Sequence, residues 1–151
     1  MSNIGLGNNG IYHKSTKSIV GVVILVIVLS YTIFIIHGSN AKPSYSFEDN
    51  TLTISGQFGT KIDLSGARIA HEFSQVPATG LRTNGTAIGK IEKGYFKMSR
   101  SEVYLNVMDE NVSDYILITD GNGSKYYVNC SSTEETDSLY SEISNYTRSA
   151  K

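Results

Sequence analysis

The chain has 151 residues, with thirteen Lys and Arg against fourteen Asp and Glu, and a single cysteine. That length holds one modest globular core and a short additional segment, and it excludes two full domains. One cysteine excludes an intrachain disulfide framework. From Ser44 onward ten basic residues stand against fourteen acidic ones, a balance that argues against general nucleic-acid binding, because neutralising phosphate takes a surplus of Lys and Arg.

Residues 1–17, MSNIGLGNNGIYHKSTK, are rich in Gly, Asn and Ser and show no apolar period; they read as a disordered tail. Residues 18–37 follow as a transmembrane helix. From Ser18 to Ile36 no side chain is charged. Nineteen helical residues span roughly 28 Å, close to the ~30 Å hydrocarbon core of a bilayer. A buried strand would end after about 4–8 residues, and a core helix of this length would carry a polar stripe. Tyr31 and His37 lie toward the exit of the run, where amphipathic rings suit the interface.

Lys14 and Lys17 precede the run and only Lys42 follows it closely. Positive charge is retained on the cytoplasmic side, so the expected arrangement is a cell-membrane protein crossing once, with its N-terminus inside and its C-terminal domain outside. A signal peptide is the competing reading, since Ser39-Asn40-Ala41 places small residues where a signal peptidase cuts; cleavage after Ala41 would release a secreted domain. The apolar run exceeds the ~7–15 residues of a typical signal core, which favours an anchor.

Residues 38–44 form a linker and residues 45–148 a single domain. Alternation with period two marks its strands: Phe47 with Leu52 and Ile54, Ile62 with Leu64, then Ala67, Ile69, His71 and Phe73. Further strands are expected at Tyr95–Met98, Val103–Met108, Tyr115–Thr119 and Lys125–Asn129. Asp120-Gly121-Asn122-Gly123 between the last two is a strong hairpin signal. The period then changes, with Leu139, Ile143 and Tyr146 on one face of a helix from Thr133 to about Arg148. Ser132 and Glu135 have capping-box spacing, and Glu134, Glu135 and Asp137 suit the positive end of the helix dipole better than a metal site.

This order of motifs resembles the bacterial pleckstrin-homology-like domains found behind membrane segments in Gram-positive bacteria. The resemblance covers roughly Tyr45 to Tyr146. It is carried most specifically by Arg82-Thr83-Asn84-Gly85 followed by Gly94-Tyr95-Phe96, with Leu52-Thr53-Ile54-Ser55-Gly56, Val76-Pro77, Tyr115-Ile116-Leu117-Ile118 and Tyr127-Val128-Asn129 around them. It implies a bent antiparallel barrel of about seven strands, capped by the C-terminal α-helix, with no defined activity. Lipid-binding members of the wider fold place several basic residues on the first hairpin. Ser55 to Lys61 offers one lysine, so phosphoinositide is not the expected ligand.

Chemistry-bearing motifs are few. Gly80 to Lys90 departs from a phosphate loop in its glycine spacing and reads as a loop between strands, in which Arg82, Asn84 and Lys90 form a possible binding loop. The basic residues Arg82, Lys90, Lys93, Lys97 and Arg100 read as solvated strand edges, where lysine blocks edge pairing. Asp120, Asn122 and Ser124 open like a calcium loop, but Lys125 stands where Gly is needed. Cys130 reads as a small apolar residue at a strand end. His13, His37 and His71 are too scattered to cluster, and His71 has no visible nucleophile. The expected function is recognition of a protein or envelope component by a tethered domain, not an enzyme, with no cofactor, metal or nucleic acid; a cytoplasm-facing lipid or protein adaptor is the alternative.

Overall fold

The structure, a computed structural model, describes residues 10–149; the part of the expected tail before Gly10 lies outside the described residues. The chain divides into two compact units between His37 and Gly38.

α1 spans Gly10–Asn40, 31 residues, and so exceeds the expected helix at both ends. Residues 10–17 are helical where a disordered tail was expected, and residues 38–40 are helical where a linker was. The reason is cooperativity: nucleation is the costly step, and each further residue adds a hydrogen bond, so a helix set by the apolar run propagates into proline-free flanks. Pro43 limits it, because its ring disfavours helical geometry at Lys42. The large apolar residues from Ile19 to Phe34, and Ile36, are exposed, and none of the apolar window within Ser18–Gly38 is buried. By length and apolar character this span could serve as a membrane anchor or as a signal sequence. Thr32 fits such surroundings by donating its hydroxyl to the Val28 carbonyl at 2.8 Å.

The second unit is mainly β, closed by a C-terminal helix. β1 (Ser44–Glu48), β2 (Thr51–Ser55) and β3 (Thr60–Asp63) form a three-stranded antiparallel sheet. β4 (Arg68–Glu72), β5 (Arg82–Ile88), β6 (Ile91–Met98), β7 (Ser101–Val107), β8 (Tyr115–Thr119) and β9 (Lys125–Val128) form a six-stranded sheet in the order β4-β8-β9-β7-β6-β5. α2 covers Thr133–Ser149. These are nine strands in two sheets that do not close on one another, where a single antiparallel barrel of about seven was expected. The β7–β9 pair is moreover parallel, Leu105 lying opposite Tyr127. Local periodicity marks strands but not partners, and here the β8–β9 hairpin folds back so that β9 takes the place between β7 and β8.

Both faces of the six-stranded sheet are used. On one, Tyr104, Ile116, Ile118 and Val128 pack with Leu52, Ile54 and Ile62 of the small sheet and with Leu139 and Ile143 of α2. On the other, Phe96, Val103, Leu105, Val107, Tyr115 and Tyr127 form a second cluster, joined by Val76 from the β4–β5 connection. β7 is consequently buried from Val103 to Val107 with no alternation, as expected of a central strand covered on both sides.

β5 corrects the loop expected over Gly80 to Lys90. Asn84 pairs with Tyr95 and Gly85 with Gly94, so the two motif pieces that carry the family resemblance are cross-strand neighbours. Gly94 adopts φ +109°, and a Cβ there would meet the Gly85 Cα at 2.6 Å as well as the Asn84 carbonyl. Gly89, in the β5–β6 turn, has φ +60° with open space around it. Gly94→Ala is therefore expected to destabilise the full chain in detergent by more than the ~1–2 kcal/mol left-handed cost expected for Gly89→Ala. Equal losses in urea unfolding would show that the backbone contact at Gly94 does not matter.

Candidate functional site

The residues singled out from the sequence do not come together as a loop. Arg82 and Asn84 are exposed on β5, the edge strand, while Lys90 lies beyond the other end of that strand, in the turn. Lys90 Nζ donates to Asp109 Oδ2 at 3.2 Å. Asp109 is in turn held below the usual carboxylate range, chiefly by the Asn111 backbone N–H. Asp120 organises the β8–β9 turn, its Oδ1 accepting from the backbone N–H groups of Asn122 and Ser124, each at 2.9 Å.

Titratable side chains converge elsewhere, on the seam between the outer edge of the six-stranded sheet and α2. β4 is the other edge strand and pairs with β8, His71 opposite Ile116 and Glu72 opposite Tyr115. Asp114, immediately before β8, lies two residues from Ile116 and so on the same face, a diagonal neighbour of His71. His71 Nε2 is 2.5 Å from Asp114 Oδ1 and 3.4 Å from Asp137 Oδ1 of α2. Asp137 and Tyr140, three residues apart, share a helix face. Tyr140 stacks on the imidazole at 4.6 Å between ring centroids, and Phe73 lies against it at 4.4 Å. The ring is thereby held in one orientation, with its Nε2 facing two carboxylates.

Asp114 is 0 % exposed, and its second oxygen, Oδ2, is buried without a hydrogen-bond partner. Asp137, by contrast, keeps a half-exposed side chain. Sequence reasoning assigned the acids of α2 to its N-terminus. Glu135 does serve there, accepting from the Ser131 N–H while its own N–H donates to Ser132 Oγ, both at 3.3 Å. Asp137 faces His71 instead. The signal that could have linked them is the i, i+3 pair Asp137 and Tyr140 on a helix packed over an edge strand, and it has meaning only once β4 is known to pair with β8.

Beside the seam runs a groove of about 590 Å³, lined among others by Arg68, Ile69, Tyr140 and Arg148. Neither arginine is ion-paired among the described residues.

A third cluster fixes the start of the domain. Lys93, expected on a solvated edge, is 2 % exposed, and its Nζ donates to the Ala41 carbonyl at 2.6 Å. Burial pushes the Lys93 pKa down. Lys42 Nζ meets Glu135 Oε1 at 2.5 Å. Between these residues and α2 lies a cavity of about 240 Å³, bordered by Pro43, Tyr45, Cys130 and Leu139. Tyr45 accepts a hydrogen bond from Asn106 Nδ2 at 3.0 Å, and burial pushes its pKa up. The Cys130 thiol is likewise pushed up, chiefly by burial, which disfavours the reactive thiolate.

No protein-family model, curated protein or solved structure matches this chain. Its functional reading therefore rests on its own residues.

Two outcomes follow from these environments. Because the Cys130 thiol titrates above its ordinary value, iodoacetamide at pH 8 should alkylate the folded chain much more slowly than the chain in denaturant; equal rates would contradict its burial. A chain beginning at Lys42 lacks the acceptor for Lys93. It should be about 1.5–3 kcal/mol less stable than the full chain, the range for hydrogen bonds to charged groups. Lys93→Met in the shorter chain should restore most of that loss in urea unfolding.

Proposed function

We propose that this chain is a membrane-tethered recognition domain: α1 anchors it by a single crossing, and the β domain binds a protein or envelope component without turning it over. The observation that carries the tether is the Lys93 contact. A buried lysine depends on the carbonyl of Ala41, the residue after which a signal peptidase would cut, so the fold makes use of the uncut junction. Lys42, one residue further on, is engaged by Glu135. The Lys93 contact favours an anchor over a cleaved leader, whereas the Lys42 contact would persist after cleavage.

Recognition is supported by the groove beside α2. An aromatic ring, an aliphatic side chain and two unpaired arginines in one concavity suit a partner segment that carries carboxylates next to apolar groups. Turnover has no comparable support. His71 is flanked by two aromatic rings and two carboxylates, and no hydroxyl or thiol is hydrogen-bonded to it among the described residues. The strands-then-helix order supports a pleckstrin-like ancestry as part of the same proposal. The outward placement of the domain rests on Lys14 and Lys17 preceding the apolar run.

N-terminal mapping of the protein recovered from its native membranes tests the tether, with protease shaving of intact cells testing the side. A polypeptide that retains the residues before Ser18, and whose domain is digested from outside, is the expected result. A mature start at Lys42 would replace the anchor with a secreted domain. Full protection of the domain would place it on the cytoplasmic side, as an adaptor.

A further inference from the structure

We infer that His71, Asp114 and Asp137 form a binding site for one divalent transition cation of the zinc type, at the seam between β4, the start of β8, and α2. Their ligand atoms, one imidazole nitrogen and two carboxylate oxygens, all lie within 4.8 Å of one another. Tetrahedral coordination with bonds of about 2.0–2.1 Å sets neighbouring ligand atoms roughly 3.3 Å apart. The 3.4 Å between His71 Nε2 and Asp137 Oδ1 already has that spacing. The 2.5 Å between Nε2 and Asp114 Oδ1 is a direct hydrogen bond, and it needs to open by less than about 1 Å to admit an ion.

Hydrogen bonding within the cluster leaves it incomplete. An imidazole nitrogen carries at most one proton, so Nε2 can donate well to one of the two carboxylates it faces. Asp114 Oδ2 is the independent sign. It is an acceptor fixed covalently beside Oδ1, fully buried, with no donor, in a class of atom that is nearly always satisfied. A cation shared by the three side chains gives the Asp114 carboxylate a positive partner on the side of His71 and neutralises two acids held close together. The aromatic contacts of Phe73 and Tyr140 supply the apolar shell that holds a ligating imidazole in place. The half-exposed Asp137 leaves an entry path, and three protein ligands leave a coordination position for water or an outside donor. One nitrogen with two oxygens favours zinc over calcium, which takes six to eight oxygens.

Isothermal titration of the full chain in detergent, stripped with EDTA and then titrated with ZnCl₂, tests the site. One equivalent of Zn²⁺ should bind saturably and raise the melting temperature, with Ca²⁺ at the same concentration giving no comparable shift. Asp137→Asn removes a half-exposed ligand from a helix surface, which leaves the fold in place by circular dichroism, and should weaken Zn²⁺ binding at least tenfold. His71→Gln should abolish it. His13→Gln with His37→Gln should leave it unchanged. The inference is overturned if Zn²⁺ does not saturate at one equivalent, if Asp137→Asn and His71→Gln bind as the parent does, or if binding is lost with His13 and His37.

Discussion

β9 lies between β7 and β8, and the tight Asp120–Ser124 turn makes it antiparallel to β8, so it has to run parallel to β7. Much of the domain is set by that insertion. It requires the β7–β8 connection to step over a strand position of roughly 4.8 Å on each side, and it turns β7 and β9 into central strands covered on both faces. Asn129, just past β9, secures the step: its Oδ1 accepts from the Met108 N–H at 2.8 Å and its Nδ2 donates to the Asp109 carbonyl at 2.9 Å. The chain then leaves the sheet at Cys130 and enters α2 directly. The position of β9 therefore decides where α2 lies, and with it which side chains α2 brings to the edge of the sheet.

A core built this way carries polar groups inward, and most of them are accounted for. Asn106 donates to Tyr45, Tyr104 donates to the Phe58 carbonyl, and Thr136 Oγ1 accepts from Cys130 N–H while donating to Ser132. Each bond joins segments that are distant in the chain or caps a helix end, so satisfying these groups also specifies the packing. Lys93 extends the same pattern to the junction with α1. Asp114 is the exception, its Oδ2 buried without a hydrogen-bond partner, and it is on this atom that the inferred cation site rests.

The two units answer to different solvents. The Ser18–Gly38 part of α1 is long and apolar enough to cross a membrane, whereas the β domain buries its apolar side chains within itself and carries a net negative charge. The proposed tether and recognition domain are consistent with that division, and the seam and groove along α2 are where titratable and aromatic side chains gather.

The apolar run, the alternating strands, the β8–β9 hairpin and the amphipathic C-terminal helix are all legible in the chain because each is a local pattern: period two, period 3.6, or a length. β8 is legible to the residue, Tyr115–Thr119, and α2 nearly so. Arg82–Ile88 is not, because Gly85, Asn84 and Thr86 look like turn residues until Gly85 is seen against Gly94 across the ladder. Strand partners are equally illegible, since a strand's period names its buried face and not its neighbour. The burial of Lys93 and the meeting of His71 with Asp114 and Asp137 depend entirely on such partners. Side chains brought together from an edge strand, a strand entrance and a helix share no spacing in the chain, so their chemistry exists only after the sheets have paired and α2 has docked.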